Sequence, residues 1–75
     1  MYLNLDAVEL GNKCTLVAIS GEGRLKERLG DFGLVPGTVL RLVYRSPGRH
    51  GTVIEFRGTQ LALRTKDLGS IRVRI

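Results

Sequence analysis

Apolar residues recur along this chain with two different periods, and the switches between them mark its elements. From residue 24 the period is helical. Leu25, Leu29 and Phe32 stand at i, i+4 and i+7, while Arg24, Lys26, Glu27, Arg28 and Asp31 fill the other positions. This spacing predicts a short amphipathic helix that buries those three side chains and turns its charged face to solvent. Gly33 stands where the pattern stops, at the position that favours a left-handed backbone, which glycine adopts without steric cost. Pro36-Gly37 then reads as a tight turn, with proline fixing the first corner and glycine supplying a positive φ at the second.

Elsewhere the period is that of a strand. Lys13–Ile19 is rich in β-formers, and Leu16 and Ile19 are its core candidates. Their spacing of three positions instead of two predicts a bulge or bend. In 38–46, Leu40, Leu42 and Tyr44 alternate with Arg41, Val43 and Arg45, so the first three are expected to face inward. After a loop at 47–51, the segment 52–56 places Ile54 and Phe56 inward and Glu55 outward. Arg57-Gly58-Thr59 reads as a tight hairpin connection to 60–64, whose Leu61 and Leu63 face the core. Residues 65–69 read as one turn of 3₁₀ helix closed by Gly69, and Ile71, Val73 and Ile75 line a last strand. Leu5–Gly11 is a lead-in, either a single helical turn capped by Asp6 or extended chain.

Together these elements predict a mainly β fold. It is a small five-stranded SH3-like barrel, with one short α-helix between the first two strands and a 3₁₀ turn before the last. The strands close without long free edges, and Leu25, Leu29 and Phe32 plug one open end. At 75 residues the whole chain, 1–75, reads as one domain with a thin core. The single cysteine, Cys14, excludes an internal disulfide framework and a multi-cysteine zinc site, and points to a reducing compartment. No apolar run is long enough to span a bilayer and no signal-peptide pattern opens the chain, so a cytoplasmic protein is expected.

Net charge is +5, which suits an anionic partner: nucleic acid, an anionic lipid surface or an acidic protein face. The twelve basic residues are spread along the chain with no block of like charge, as on a solvated surface. A small basic nucleic-acid-binding barrel is one reading of that charge, but few aromatic residues are available to stack on bases. Metal ligation would fall to Cys14 and His50, the only soft or borderline ligands, and the carboxylates show no ligand spacing beside them. Cys14 opens a strand and reads as a small buried filler, and His50 as an exposed loop residue. A Cys14–His50 nucleophile and base pair lacks a third orienting group, and Gly21-Glu22-Gly23 lacks the Gly-Lys-Ser/Thr ending of a phosphate loop. Neither catalytic residues nor a cofactor is expected.

The order of elements carries a family resemblance. The residues Arg24-Leu25, Arg28-Leu29, Gly33-Leu34-Val35-Pro36-Gly37, Ser46-Pro47-Gly48, Arg57-Gly58, Leu61-Ala62-Leu63-Arg64 and Ile71-Arg72-Val73 resemble the FeoA family of bacterial ferrous iron transport over nearly the whole chain. A similar fold occurs as the C-terminal domain of iron-dependent repressors, and a stand-alone relative of that domain is the alternative. The family pattern often carries an acidic residue in the loop where this chain has Gly48-Arg49-His50-Gly51. The resemblance implies a non-enzymatic accessory protein, with the iron link through the transport pathway. Its partner would be a membrane ferrous iron transporter with a cytosolic GTP-binding domain, of the FeoB type, engaged by protein–protein contact at the inner face of the membrane. The candidate docking residues are Arg24 and Arg28 on the helix and the mixed apolar and basic strip Val39, Arg41, Val43 and Arg45. The same apolar strip is also compatible with a homo-oligomer.

Overall fold

The chain runs as β1 (Tyr2–Asn4), β2 (Lys13–Ile19), α1 (Arg24–Asp31), β3 (Val39–Arg45), β4 (Gly51–Phe56), β5 (Thr59–Arg64), α2 (Thr65–Leu68) and β6 (Ile71–Arg74), with a 3₁₀ turn at Leu5–Ala7. This is the arrangement in a computed structural model that describes residues 1–21, 23–47 and 51–75. Glu22, Gly48, Arg49 and His50 lie outside the described residues, and with them most of the loop expected at 47–51.

The strands form one antiparallel sheet in the order β1-β6-β2-β3-β4-β5. The fold is mainly β and SH3-like as expected, but it has six strands and the sheet is open, not a closed five-stranded barrel. The additional strand, β1, pairs with β6 through Tyr2↔Arg74, Leu3↔Val73 and Asn4↔Arg72. Three residues are too few to show a period, so this strand is defined by its neighbour and not by its own pattern. After Asn4 the chain leaves the sheet as the 3₁₀ turn, which packs against α2 and β6. Leu5, Val8 and Leu68 are buried in the same core as the strands. At this end the chain contributes packed side chains to the core, and β1 and β5 remain the two edges of the sheet. The segment before β6 is a single turn of α-helix, α2, instead of 3₁₀.

The expected bulge in β2 is present, as a register shift between Leu16 and Ala18 against β6. It keeps both Leu16 and Ile19 on the core side. A second shift lies between Leu42 and Tyr44 of β3, where Leu42 pairs with Ile54 but Tyr44 pairs with Val53. The extra residue reverses the facing of everything after it. Tyr44, expected inward, is therefore exposed, and Arg45 pairs with the buried Thr52. Ile75 is also exposed, beyond the end of β6.

The helix stop is where the chain makes its sharpest decision. Gly33 has φ +91° and Gly37 φ +94°, as their positions in the sequence require. The N–H of Gly33 bonds to the carbonyl of Gly30, and the N–H of Leu34 to that of Leu29, both at 2.9 Å. This pair of bonds is a Schellman motif, in which the residue after the left-handed glycine folds back onto the last helical turn. Leu34 thus meets Leu29, and each is only 1% exposed. Phe32, expected in the plug, is 53% exposed. The plug consists of Leu29 and Leu34, with Leu25 half-buried beside them. Thr38 then locks the exit. Its buried hydroxyl donates to the Gly33 carbonyl (3.4 Å) and accepts from the Val35 N–H (3.3 Å), while the Gly37 N–H bonds to the Leu16 carbonyl (2.8 Å).

Candidate protein-docking surface

Alternation along β2, β3 and β4 leaves Lys13, Thr15, Val39, Arg41 and Glu55 on the face of the sheet away from the core. The register then sets them side by side. Lys13 lies opposite Arg41, Thr15 opposite Val39, and Arg41 opposite Glu55. On the next strand Gln60 continues the row and donates from Nε2 to Glu55 Oε2 at 3.3 Å. On the other side of Thr15, β6 contributes Arg74. A shallow groove of about 260 Å³ runs over this face, lined by Lys13, Val39, Arg41, Glu55 and Arg57, with Leu40 and Phe56 below.

The groove lining thus holds three cations against one carboxylate, Glu55, which already accepts a hydrogen bond from Gln60. Lys13 and Arg41 are like charges directly across a strand pair, an arrangement that costs a few tenths of a kcal/mol up to about 1 kcal/mol. The Nε of Arg41 is buried without a hydrogen-bond partner. Val39, at the centre, is 55% exposed. An exposed apolar side chain ringed by under-compensated cations is suited to an acidic protein segment carrying an apolar anchor.

The structure brings together only part of the set expected from the sequence. Val39 and Arg41 share the groove. Val43 is half-buried at the bulge. Arg45 lies past the bulge and is committed elsewhere: its Nη2 donates to the Val8 carbonyl at 3.2 Å, tying β3 to the segment after the 3₁₀ turn. There it lines a separate cavity of about 360 Å³ with Asp6, Thr52, Thr65 and Leu68. Arg24 and Arg28 are exposed on α1, and neither lines the sheet groove. Lys13 and Arg57 were missed because cross-strand register unites them with Arg41, and register is not visible in one strand's pattern. A third hollow, about 200 Å³ and mostly apolar, lies beside α1 and is lined by Ala18, Ile19, Lys26, Gly30, Leu34, Val35 and Pro36.

Cys14 is buried in the core, and desolvation raises its thiol above the usual value. It is poorly suited to act as a nucleophile or a thiolate ligand. Among the described residues no three His, Cys, Asp or Glu side chains come together as a metal site, and no helix is long and apolar enough to cross a membrane. His50 lies outside the described residues. Tyr2 on β1, Phe32 just after α1 and Tyr44 on β3 are all exposed.

The open antiparallel sheet, the helix between β2 and β3 and the one-turn helix before β6 define a small SH3-like domain. The sequence profile of the FeoA domain matches residues 3–75, and the chain belongs to that family. Among solved structures it resembles the FeoA protein from Chlorobium tepidum (TM-score 0.91, 25% identity, covering 97% of this chain and 70% of that one). It likewise resembles a FeoA-like protein from Clostridium acetobutylicum (TM-score 0.86, 26% identity, 99% and 86%). A manganese-dependent transcriptional repressor shares the fold at 18% identity and a TM-score of 0.87; this chain spans 97% of itself but only 41% of the repressor. No curated protein sequence matches the chain.

Proposed function

We propose that this protein is a non-enzymatic accessory factor of ferrous iron transport that docks on an acidic cytosolic segment of a membrane transporter with a GTP-binding domain. Membership of the FeoA family supports the role in ferrous iron transport. The observation that supports the docking surface is the groove in which Lys13, Arg41 and Arg57 surround the exposed Val39. The cations steer an acidic partner and set its register, and the valine supplies apolar area at the centre. Burial of Cys14 in the core supports a role without covalent chemistry.

The test is capture of the transporter's cytosolic portion by the wild-type protein and by the folded variants Lys13→Glu with Arg41→Glu and Val39→Ala. Both variants are expected to lose capture and to lower iron uptake in cells. Wild-type capture by both would refute this surface. Tight DNA binding that falls steeply with salt, together with no transporter capture, would favour the nucleic-acid reading.

A further inference from the structure

β5 is the long free edge of the sheet. It pairs with β4 over its whole length without a bulge, from Gly51↔Arg64 to Phe56↔Thr59, and closes on Arg57-Gly58. Arg57 has φ +49° and Gly58 φ +76°, the type I′ geometry of a two-residue hairpin. In such a hairpin the closing pair exchanges both backbone hydrogen bonds, so the N–H and C=O groups of Thr59, Leu61 and Leu63 face β4. The Leu63 carbonyl agrees with this parity, since it lies 3.0 Å from where a Cβ on Gly51 would stand. The backbone groups of Gln60 and Ala62 and the N–H of Arg64 therefore point to the open side. All three residues are exposed, and none of these groups bonds to the backbone of another described segment. Proteins commonly protect such an edge with lysine, proline, a bulge or an inward charge. β5, Thr-Gln-Leu-Ala-Leu-Arg, carries none of these before its final residue.

We propose that this edge is a self-association site, at which β5 of a second copy of the chain pairs antiparallel about a two-fold axis through Ala62. The strand is complementary to itself in that register. Ala62 faces Ala62 of the partner subunit, and the two exchange N–H···O=C bonds. The Arg64 N–H meets the partner's Gln60 carbonyl, and reciprocally. Gln60 and Arg64 face each other on the outer side, so no like charges oppose. On the core side Leu61, half-buried in the single chain, is covered by the partner's Leu63. The small Ala62 side chain lets the backbones approach at the axis. A single strand pair buries less than the roughly 1,200 Å² of a standard stable interface, so the dimer is weak and concentration-dependent.

Sedimentation equilibrium tests this on the full chain. The wild-type mass is expected to rise from monomer toward dimer between about 10 μM and 1 mM, the range of a weak contact. Ala62→Pro removes only an outward-facing N–H and leaves the β4 ladder whole, so it should fold and stay monomeric. Ala62→Lys sets two ammonium groups opposite each other at the axis and should also stay monomeric, which keeps the test valid if the proline variant fails to fold. In a mixed-label sample, an intermolecular contact between the α-protons of Leu61 and Leu63 is expected. A wild-type protein monomeric throughout the range, a dimer that survives Ala62→Lys, or intermolecular contacts placed elsewhere would each overturn the proposal.

Discussion

Leu34 and Phe32 are close in sequence and opposite in role. Leu34 is buried against Leu29, and Phe32 is largely in solvent. Leu34→Ala should therefore cost about 2–5 kcal/mol, while Phe32→Ala should stay within about 0.5 kcal/mol; denaturant unfolding of the two variants separates them. The reverse order would return Phe32 to the core. Gly33→Val should cost more than about 1 kcal/mol. A Cβ there meets nothing within 4 Å, so the loss comes from forcing a β-branched residue to φ +91°. The positions of Gly33 and Gly37 were legible because a helix stop and a Pro-Gly corner need specific backbone angles. Leu34 was not, because periodicity assumes that the helix continues, and the left-handed glycine moves the next core position off the helical pattern. Cys14 adds a chemical check at this scale. Since burial raises its thiol pKa, less thiolate is present at a given pH, and native protein at pH 8 should react with iodoacetamide far more slowly than unfolded protein.

Strand patterns carried the elements but not always their faces. The bulge in β2 left a trace, because Leu16 and Ile19 break the two-residue period. The bulge in β3 left none: Leu40, Leu42 and Tyr44 keep perfect alternation, and tyrosine is at home on either face of a sheet. The shift after Leu42 is set against β4, and it moves Arg45 from the expected docking strip to the Val8 carbonyl. The contact between α1 and the sheet also depends on one polar side chain. Thr38→Val keeps the shape of the buried residue but removes both hydrogen bonds of its hydroxyl, leaving the Val35 N–H and the Gly33 carbonyl without that partner. A loss of about 1–2 kcal/mol is expected, read as a lower melting midpoint. An unchanged midpoint would show that the exit from α1 does not rely on Thr38.

At the scale of the whole molecule, a charge of +5 is distributed so that only part of it is organised. Charge and apolar pattern indicated Val39 and Arg41. The proposed docking groove takes shape only when register adds Lys13 and Arg57 and removes Arg45. Ferrous iron titrated into the isolated protein is expected to show no stoichiometric site tighter than about micromolar, because the available donors are sparse. A tight site abolished by Cys14→Ala or His50→Ala would reverse that expectation. Docking at the groove is tested most directly by calorimetric titration of the transporter's cytosolic portion with wild-type protein and with the Lys13→Glu, Arg41→Glu double variant. Wild-type binding that weakens with salt and falls at least about tenfold in the double variant, equivalent to about 1.4 kcal/mol, is the predicted result. Equal affinity in a double variant that remains folded would contradict it.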